Sequence, residues 1–140
     1  MLTLSGSISG TYPCSVTLAA GSGKSAFTLD TATGSTPWYT TVAINQPGAP
    51  PTSGTWTQAN ATQGGIEVDS MPVSEDDYEV CQCNDSTQCG VANCMMGTYT
   101  MNITVSGGPI LFTAHGTLTA SLVPDPGGTA TGTVTLEATF

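Results

Sequence analysis

The sequence predicts an all-β protein, an antiparallel β-sandwich or jelly roll of about nine or ten strands with no substantial helix. Three observations carry that expectation. Apolar residues recur at a period of two over long stretches, threonine or serine fills most positions between them, and Gly or Pro punctuates the chain. The 140 residues fit one domain, 1–140. A chain of this size buries roughly 68–70% of its unfolded surface, enough for a single core.

The period-two pattern is clearest near the C-terminus. Ile110, Phe112, Ala114, Gly116, Leu118, Ala120 and Leu122 alternate strictly with polar residues over most of their length, and Ala130, Gly132, Val134, Leu136, Ala138 and Phe140 repeat the pattern. Tyr99, Met101, Ile103 and Val105 do so again. Alternation of this kind turns one face to a core and the other to water. The 25 threonines suit the wet face, because a branched Cβ favours extended backbone.

Taken in order, strands are expected at 1–9 and 14–20, separated by Gly10 and Pro13, and at 25–30 after the turn Gly21-Ser22-Gly23. The next begins after Pro37 and covers 38–44. The run Pro47-Gly48-Ala49-Pro50-Pro51 cannot be an interior strand, since proline lacks the ladder donor. Short strands follow at 54–59, 66–69 and 77–82, and long ones at 97–105, 109–122 and 129–140. No segment shows a 3.6-residue period.

Ten acidic groups against one lysine and no arginine give a net charge of -9. That balance argues against nucleic acid and anionic membrane surfaces as partners, since both require clustered cations. No stretch approaches the ~18 apolar residues of a membrane span, and no basic-then-apolar leader precedes the first strand. Lysine commonly guards edge strands, and here the edges have almost none. A strand such as 1–9 or 129–140 is therefore expected to be open to self-association by pairing with another subunit.

Four of the five cysteines, Cys81, Cys83, Cys89 and Cys94, lie within fourteen residues. Such density points to an oxidising location: extracellular, periplasmic or cell surface. A nested pairing, Cys81–Cys94 with Cys83–Cys89, would staple 84–93 into a hairpin-like loop and leave Cys14 a free thiol. Four cysteines allow three connectivities, and Cys14 could also take one of the four. The rival is a metal site. C-x-C-x5-C-x4-C lacks the paired knuckles of zinc ribbons. Met95, Met96 and Met101 suit Cu(I) in chemistry, and gap-filling in the core is their plainer use.

Gly21-Ser22-Gly23-Lys24-Ser25 ends like a phosphate-binding loop. The motif needs glycine where Leu18 stands and a helix after it, whereas Phe27-Thr28-Leu29 reads as strand, so a glycine turn is expected. Nothing near Lys24 supports a side-chain amide cross-link. His115, the only histidine, falls on the polar face of a strand. A hydrolase triad would need a nucleophile and a carboxylate beside it, and no G-x-S-x-G elbow is present. No catalytic residue is expected.

Seven of the ten acids fall between Glu67 and Asp85. They form either a solvated edge or a Ca²⁺ site. Asp69, Glu75, Asp76 and Asp77 bracket the Met71-Pro72 turn and are the candidate ligands, although the spacing does not match an EF-hand. Trp38, Tyr39 and Trp56 flank the proline-rich loop. Tryptophan in a small β domain ordinarily packs in the core; the alternative is an aromatic platform that binds sugar. Asn60, Asn84 and Asn102 begin glycosylation sequons.

The stretch His115-Gly-Thr-Leu-Thr-Ala-Ser-Leu, followed by Gly127-Gly128 and Gly132-Thr-Val-Thr-Leu-Glu-Ala-Thr-Phe140, resembles the C-terminal strands of bacterial secreted and lipoprotein β-sandwich domains. The opening Leu4-Ser-Gly-Ser-Ile-Ser-Gly-Thr-Tyr12 has a similar look. The resemblance implies a cell-envelope location and a mature domain cut from behind a signal. It supplies no catalytic motif and no lipobox cysteine. The expectation that follows is a non-enzymatic binding or surface module, with the 81–94 loop and the acidic 67–85 flank recognising a glycan or a surface protein. A structural subunit that assembles through its edges is the second reading, and a small carbohydrate-active hydrolase the third.

Overall fold

The computed structural model describes residues 1–31, 38–58, 63–70, 78–82, 95–107, 112–125 and 128–140. They contain twelve strand segments and no helix. The first six are β1 (Leu2–Gly6), β2 (Gly10–Tyr12), β3 (Cys14–Gly21), β4 (Lys24–Thr31), β5 (Trp38–Pro47) and β6 (Gly54–Thr57). The rest are β7 (Gln63–Ser70), β8 (Tyr78–Gln82), β9 (Met95–Met96), β10 (Thr98–Gly107), β11 (Phe112–Pro124) and β12 (Val134–Thr139). The count exceeds the expected nine or ten because Gly10–Tyr12, expected as a break between strands, forms β2, and because the two-residue β9 was not expected. No helix among the described residues is long and apolar enough to cross a membrane.

Every pairing is antiparallel. Hydrogen bonds join the strands in the order β2-β1-β12-β11-β8-β7-β5-β4-β3, with β10 attached to β11 and β6 attached to β10. The sheet curls into a nearly closed, barrel-like form. Its continuity rests on β11, which pairs β10 over Phe112–Ser121, pairs β12 through Leu122, and then pairs β8 through Val123 and Pro124.

The core follows the predicted alternation. Leu2, Leu4, Phe27, Leu29, Val42, Ile44, Ile66, Val68, Met101, Leu118, Leu122 and Leu136 are all buried. Each contributes about 1.5–3 kcal/mol relative to an exposed position. Large residues stand opposite small ones across β10 and β11: Tyr99 faces Ala120, Ile103 faces Gly116, and Val105 faces Ala114. Gly116 admits no larger residue, because a Cβ there would collide with the carbonyl oxygen of Asn102. Its backbone also exchanges hydrogen bonds with Phe140, at 2.8 and 3.1 Å.

The Gly21–Ser25 segment is a hairpin turn. Ser22 and Gly23 both have positive φ, 50° and 73°, the signature of the two-residue turn whose twist matches the flanking strands. Gly21 and Lys24 close the β3/β4 ladder beside it. The Ser25 hydroxyl donates to the carbonyl of Gly48 at 2.7 Å, and the Gly48 N–H donates to the carbonyl of Gly23 at 2.8 Å. These bonds tie the turn to the start of the proline-rich loop.

One expectation about edges needs correcting. β1 is flanked by β2 and β12, and β12 by β1 and β11. Residues 1–9 and 129–140 therefore contribute interior strands, not open edges. A missing lysine says nothing about which strand lies beside which. Among the described residues the strands paired along one side only are β2, β3, β6 and the two-residue β9.

The two sides of the curled sheet differ in chemistry. Across β2, β1, β12, β11, β10 and β6 the outward row reads Thr11, Thr3, Glu137, Thr119, Thr100 and Thr57. Thr3 and Thr11 bring their hydroxyls within 3.3 Å, and the Thr55 hydroxyl donates to Asn102 Oδ1 at 2.8 Å. His115 is exposed on this face, opposite Thr104. The outward face of β4, β7 and β8 instead carries Asp30, Glu67, Asp69 and Glu79.

Candidate functional site: an acidic face on three strands

β5, β7 and β8 build the face. On β7, Ile66 and Val68 enter the core, so Glu67 and Asp69 point out; on β8, Tyr78 and Val80 enter, so Glu79 points out. On β5, Thr40, Val42 and Ile44 are buried, which turns Tyr39 and Thr41 outward. The register then sets Tyr39 opposite Asp69, Thr41 opposite Glu67, and Glu67 opposite Glu79. Directly opposed residues have Cβ atoms about 4.5–5.5 Å apart and diagonal ones about 7–8 Å. One phenol ring, one hydroxyl and three carboxylates thus share a surface that three neighbouring strands hold rigid. Glu67 is exposed, while Tyr39, Asp69 and Glu79 are half-buried.

The three aromatic candidates are not brought to one surface. Trp38 precedes Tyr39 on the same strand and so faces the other way. Its ring meets that of Tyr78 edge-on, with centroids 6.3 Å apart and planes at 65°, at the rim of the core. Tyr78 is held there by its hydroxyl, which donates to the carbonyl of Thr131 at 3.1 Å. Trp56 lies in the core at 4% exposure, opposite Met101. Only Tyr39 belongs to the acidic face.

Of the candidate calcium ligands, Asp69 sits on β7; Glu75, Asp76 and Asp77 lie outside the described residues. Among the described residues no group of three or more His, Cys, Asp or Glu could hold a metal ion. Glu67 and Glu79, which the register places together, belong to the acidic run noted in the sequence but not to the candidate ligand set. The alternation of Ile66 with Val68, and of Tyr78 with Val80, is the signal that would have turned both outward.

Cys83, Cys89 and Cys94 also lie outside the described residues. Cys81 is on β8, where its backbone stands between Gly65 and Met96. β8 and β9 run antiparallel as neighbours, Cys81 with Met96 and Gln82 with Met95, so the chain between them begins and ends on adjacent strands. Cys14 is a free thiol, half-buried at the start of β3 and packed against the core.

Among the described residues two buried hydroxyls on the inner face lack a hydrogen-bond partner, Thr40 Oγ1 and the Tyr99 phenol. Burial pushes Tyr99 up to about 12. The Thr40 N–H is satisfied by the Thr31 hydroxyl at 2.9 Å.

Comparisons of the chain with protein-family models, with curated proteins and with solved structures find no match.

Proposed function

We propose that this chain is a non-enzymatic binding module of the extracellular space or cell envelope. It holds a glycan on the outer face of β5, β7 and β8. The observation that carries this reading is the register that sets Tyr39 opposite Asp69 with Glu67 and Glu79 alongside. A phenol ring offers a flat apolar surface to the C–H face of a sugar and a polar tip to its hydroxyls. Ionised carboxylates accept hydrogen bonds from several sugar hydroxyls at once. Carboxylates without a neighbouring guanidinium disfavour anionic sugars, so the ligand class is a neutral or amino sugar. Strand-borne groups hold their geometry better than loop-borne ones, which suits recognition without chemistry.

The crowded cysteines support an oxidising location. Bridges Cys81–Cys94 and Cys83–Cys89 would staple the chain between β8 and β9. A glycan array followed by calorimetric titration tests the reading. Tyr39→Ala and Asp69→Asn should each weaken binding at least about tenfold, a loss of about 1.4 kcal/mol, and the glycan should be recovered intact. An array with no neutral or amino-sugar ligand, or binding untouched by both substitutions, overturns it.

A further inference from the structure

We propose that the glycan held on this face is cationic: a linear 1,4-linked amino sugar with free amines, laid across the strands from β4 to β8. The inference rests on the glycan-binding reading above and narrows its ligand to one class. Leu29 and Thr31 are buried on β4, so Asp30 between them points to the same outer face as Glu67 and Glu79. The register draws a single row across four strands. Asp30 stands opposite Thr41, Thr41 opposite Glu67, and Glu67 opposite Glu79. Asp69 lies two residues further along β7, opposite Tyr39. The chain has one lysine and no arginine. Lys24 lies about 20 Å from Asp30 along β4, opposite Gly21 and Pro47. The Met1 ammonium donates to the carbonyl of Thr139 at 2.8 Å, and His115 stands opposite Thr104 on the hydroxyl-rich face. None of these three stands in the carboxylate row.

Charge complementarity selects the occupant, and spacing selects its form. Asp30 and Glu67 are two strand spacings apart, about 10 Å. A single metal ion cannot bridge them, because its oxygen ligands lie at about 2.3–2.6 Å. A cation that repeats along a chain can meet both. In an extended 1,4-linked chain of glucosamine, alternate rings present their amines to the same side, and two rings span a comparable length. Each amine then donates charge-assisted hydrogen bonds to a carboxylate, and Thr41 between them offers a hydroxyl to the intervening ring. The next row leaves room for the rings. It consists of Thr28, Ala43 and Gly65; Ala43 is exposed, and a Cβ on Gly65 would meet nothing nearer than 3.9 Å. Tyr39, two residues before Thr41 on β5, supplies the flat apolar surface that a sugar ring uses and a polyamine does not.

Calorimetric titration of the wild-type chain compares β-1,4-linked glucosamine oligomers, from the single sugar to the tetramer, with their N-acetylated counterparts. Mildly acidic pH keeps the sugar amines charged and the Asp and Glu side chains ionised. At low salt the glucosamine tetramer should bind at least about tenfold more tightly than the N-acetylated one. That preference should fade toward 1 M salt, where charges are screened within about 3 Å. Affinity should also climb with length, since a single ring meets only part of the row. Asp30→Asn should weaken binding of the glucosamine tetramer at least about threefold. Glu137→Gln removes the same charge from the hydroxyl-rich face, opposite Thr119, and should leave binding unchanged. Equal affinity for the free and N-acetylated series would overturn the cationic ligand while the wider glycan reading stands. Tetralysine binding as tightly as the glucosamine tetramer would overturn it as well, because the face would then read charge alone. Binding of neither sugar series also overturns it, and the glycan array decides the wider reading separately.

Discussion

Gly97 and Ser121 approach so closely that a Cβ on the glycine would stand 2.6 Å from the serine carbonyl oxygen, 2.8 Å from Val80 Cγ2 and 3.0 Å from the carbonyl oxygen of Glu79. Gly97 also has φ +66°, where a side chain costs about 1–2 kcal/mol. It is the residue at which the chain stops pairing with β8, as β9, and begins pairing with β11, as β10. Gly97→Ala adds overpacking of about 1–3 kcal/mol to the backbone term. A total loss of about 2–5 kcal/mol is expected in urea denaturation. Gly65→Ala is the control, since its Cβ would meet nothing nearer than 3.9 Å. It should be neutral or raise stability by about 0.5–1 kcal/mol. Equal effects at the two positions would show that the crossing at Gly97 is not tight.

The opposed carboxylates of Glu67 and Glu79 should weaken the fold as well as shape the site. Like charges directly across a strand pair cost about 0.2–1 kcal/mol. Glu79→Gln should therefore raise the melting temperature at low ionic strength. The gain should fade toward 1 M salt, where the screening length falls to about 3 Å. A gain that persists at high salt would have a cause other than repulsion.

Tyr99 supplies an alkaline signature. Its phenol is buried without a hydrogen-bond partner, and burial raises it from 10.0 to about 12. Folding favours the neutral phenol, so the linked stability is intact below pH 10 and is lost as pH rises from 10 through 12. Tyr99→Phe removes both the titration and the unpaired hydroxyl, so its stability near neutral pH should match or exceed wild type by about 1 kcal/mol. Its stability should also fall less between pH 10 and 12. A spectrophotometric titration should show one of the four tyrosines ionising late, and lose that component in the variant. A large loss of stability in Tyr99→Phe would mean that the hydroxyl is bonded.

What was legible in the chain follows from how local each cause is. The inward phase of Leu118, Ala120 and Leu122 is set by strand geometry alone, and the structure keeps it. The opposite fates of Trp38 and Tyr39 were equally readable, because consecutive strand residues cannot share a face. The neighbours of β1 and β12 were not. They depend on where a strand more than a hundred residues away returns, Leu4 against Leu136 for example. β9 escaped notice because Met95 and Met96 are too few to show alternation. At the site, each acid's face is local information, whereas the pairing of Glu67 with Glu79 belongs to the β7/β8 register. That register depends on how Ile66 meets Val80 in the core.

The last prediction concerns thiols. Cys14 is free and packs half-buried beside the core. If the other four of the five cysteines form two bridges, denatured but unreduced protein should expose one thiol per chain. Peptide mapping should locate it at Cys14 and recover Cys81 linked to Cys94 and Cys83 linked to Cys89. Two bridges closing such short loops restrict the unfolded chain by less than the ~3 kcal/mol estimated for a fifteen-residue loop. Reduction should therefore lower the melting temperature without abolishing the fold, since among the described residues the buried core from Leu2 to Ala138 contains no cysteine. Five reactive thiols in unreduced protein would leave that loop without a staple, and Cys14 found in a bridge would overturn the nested scheme.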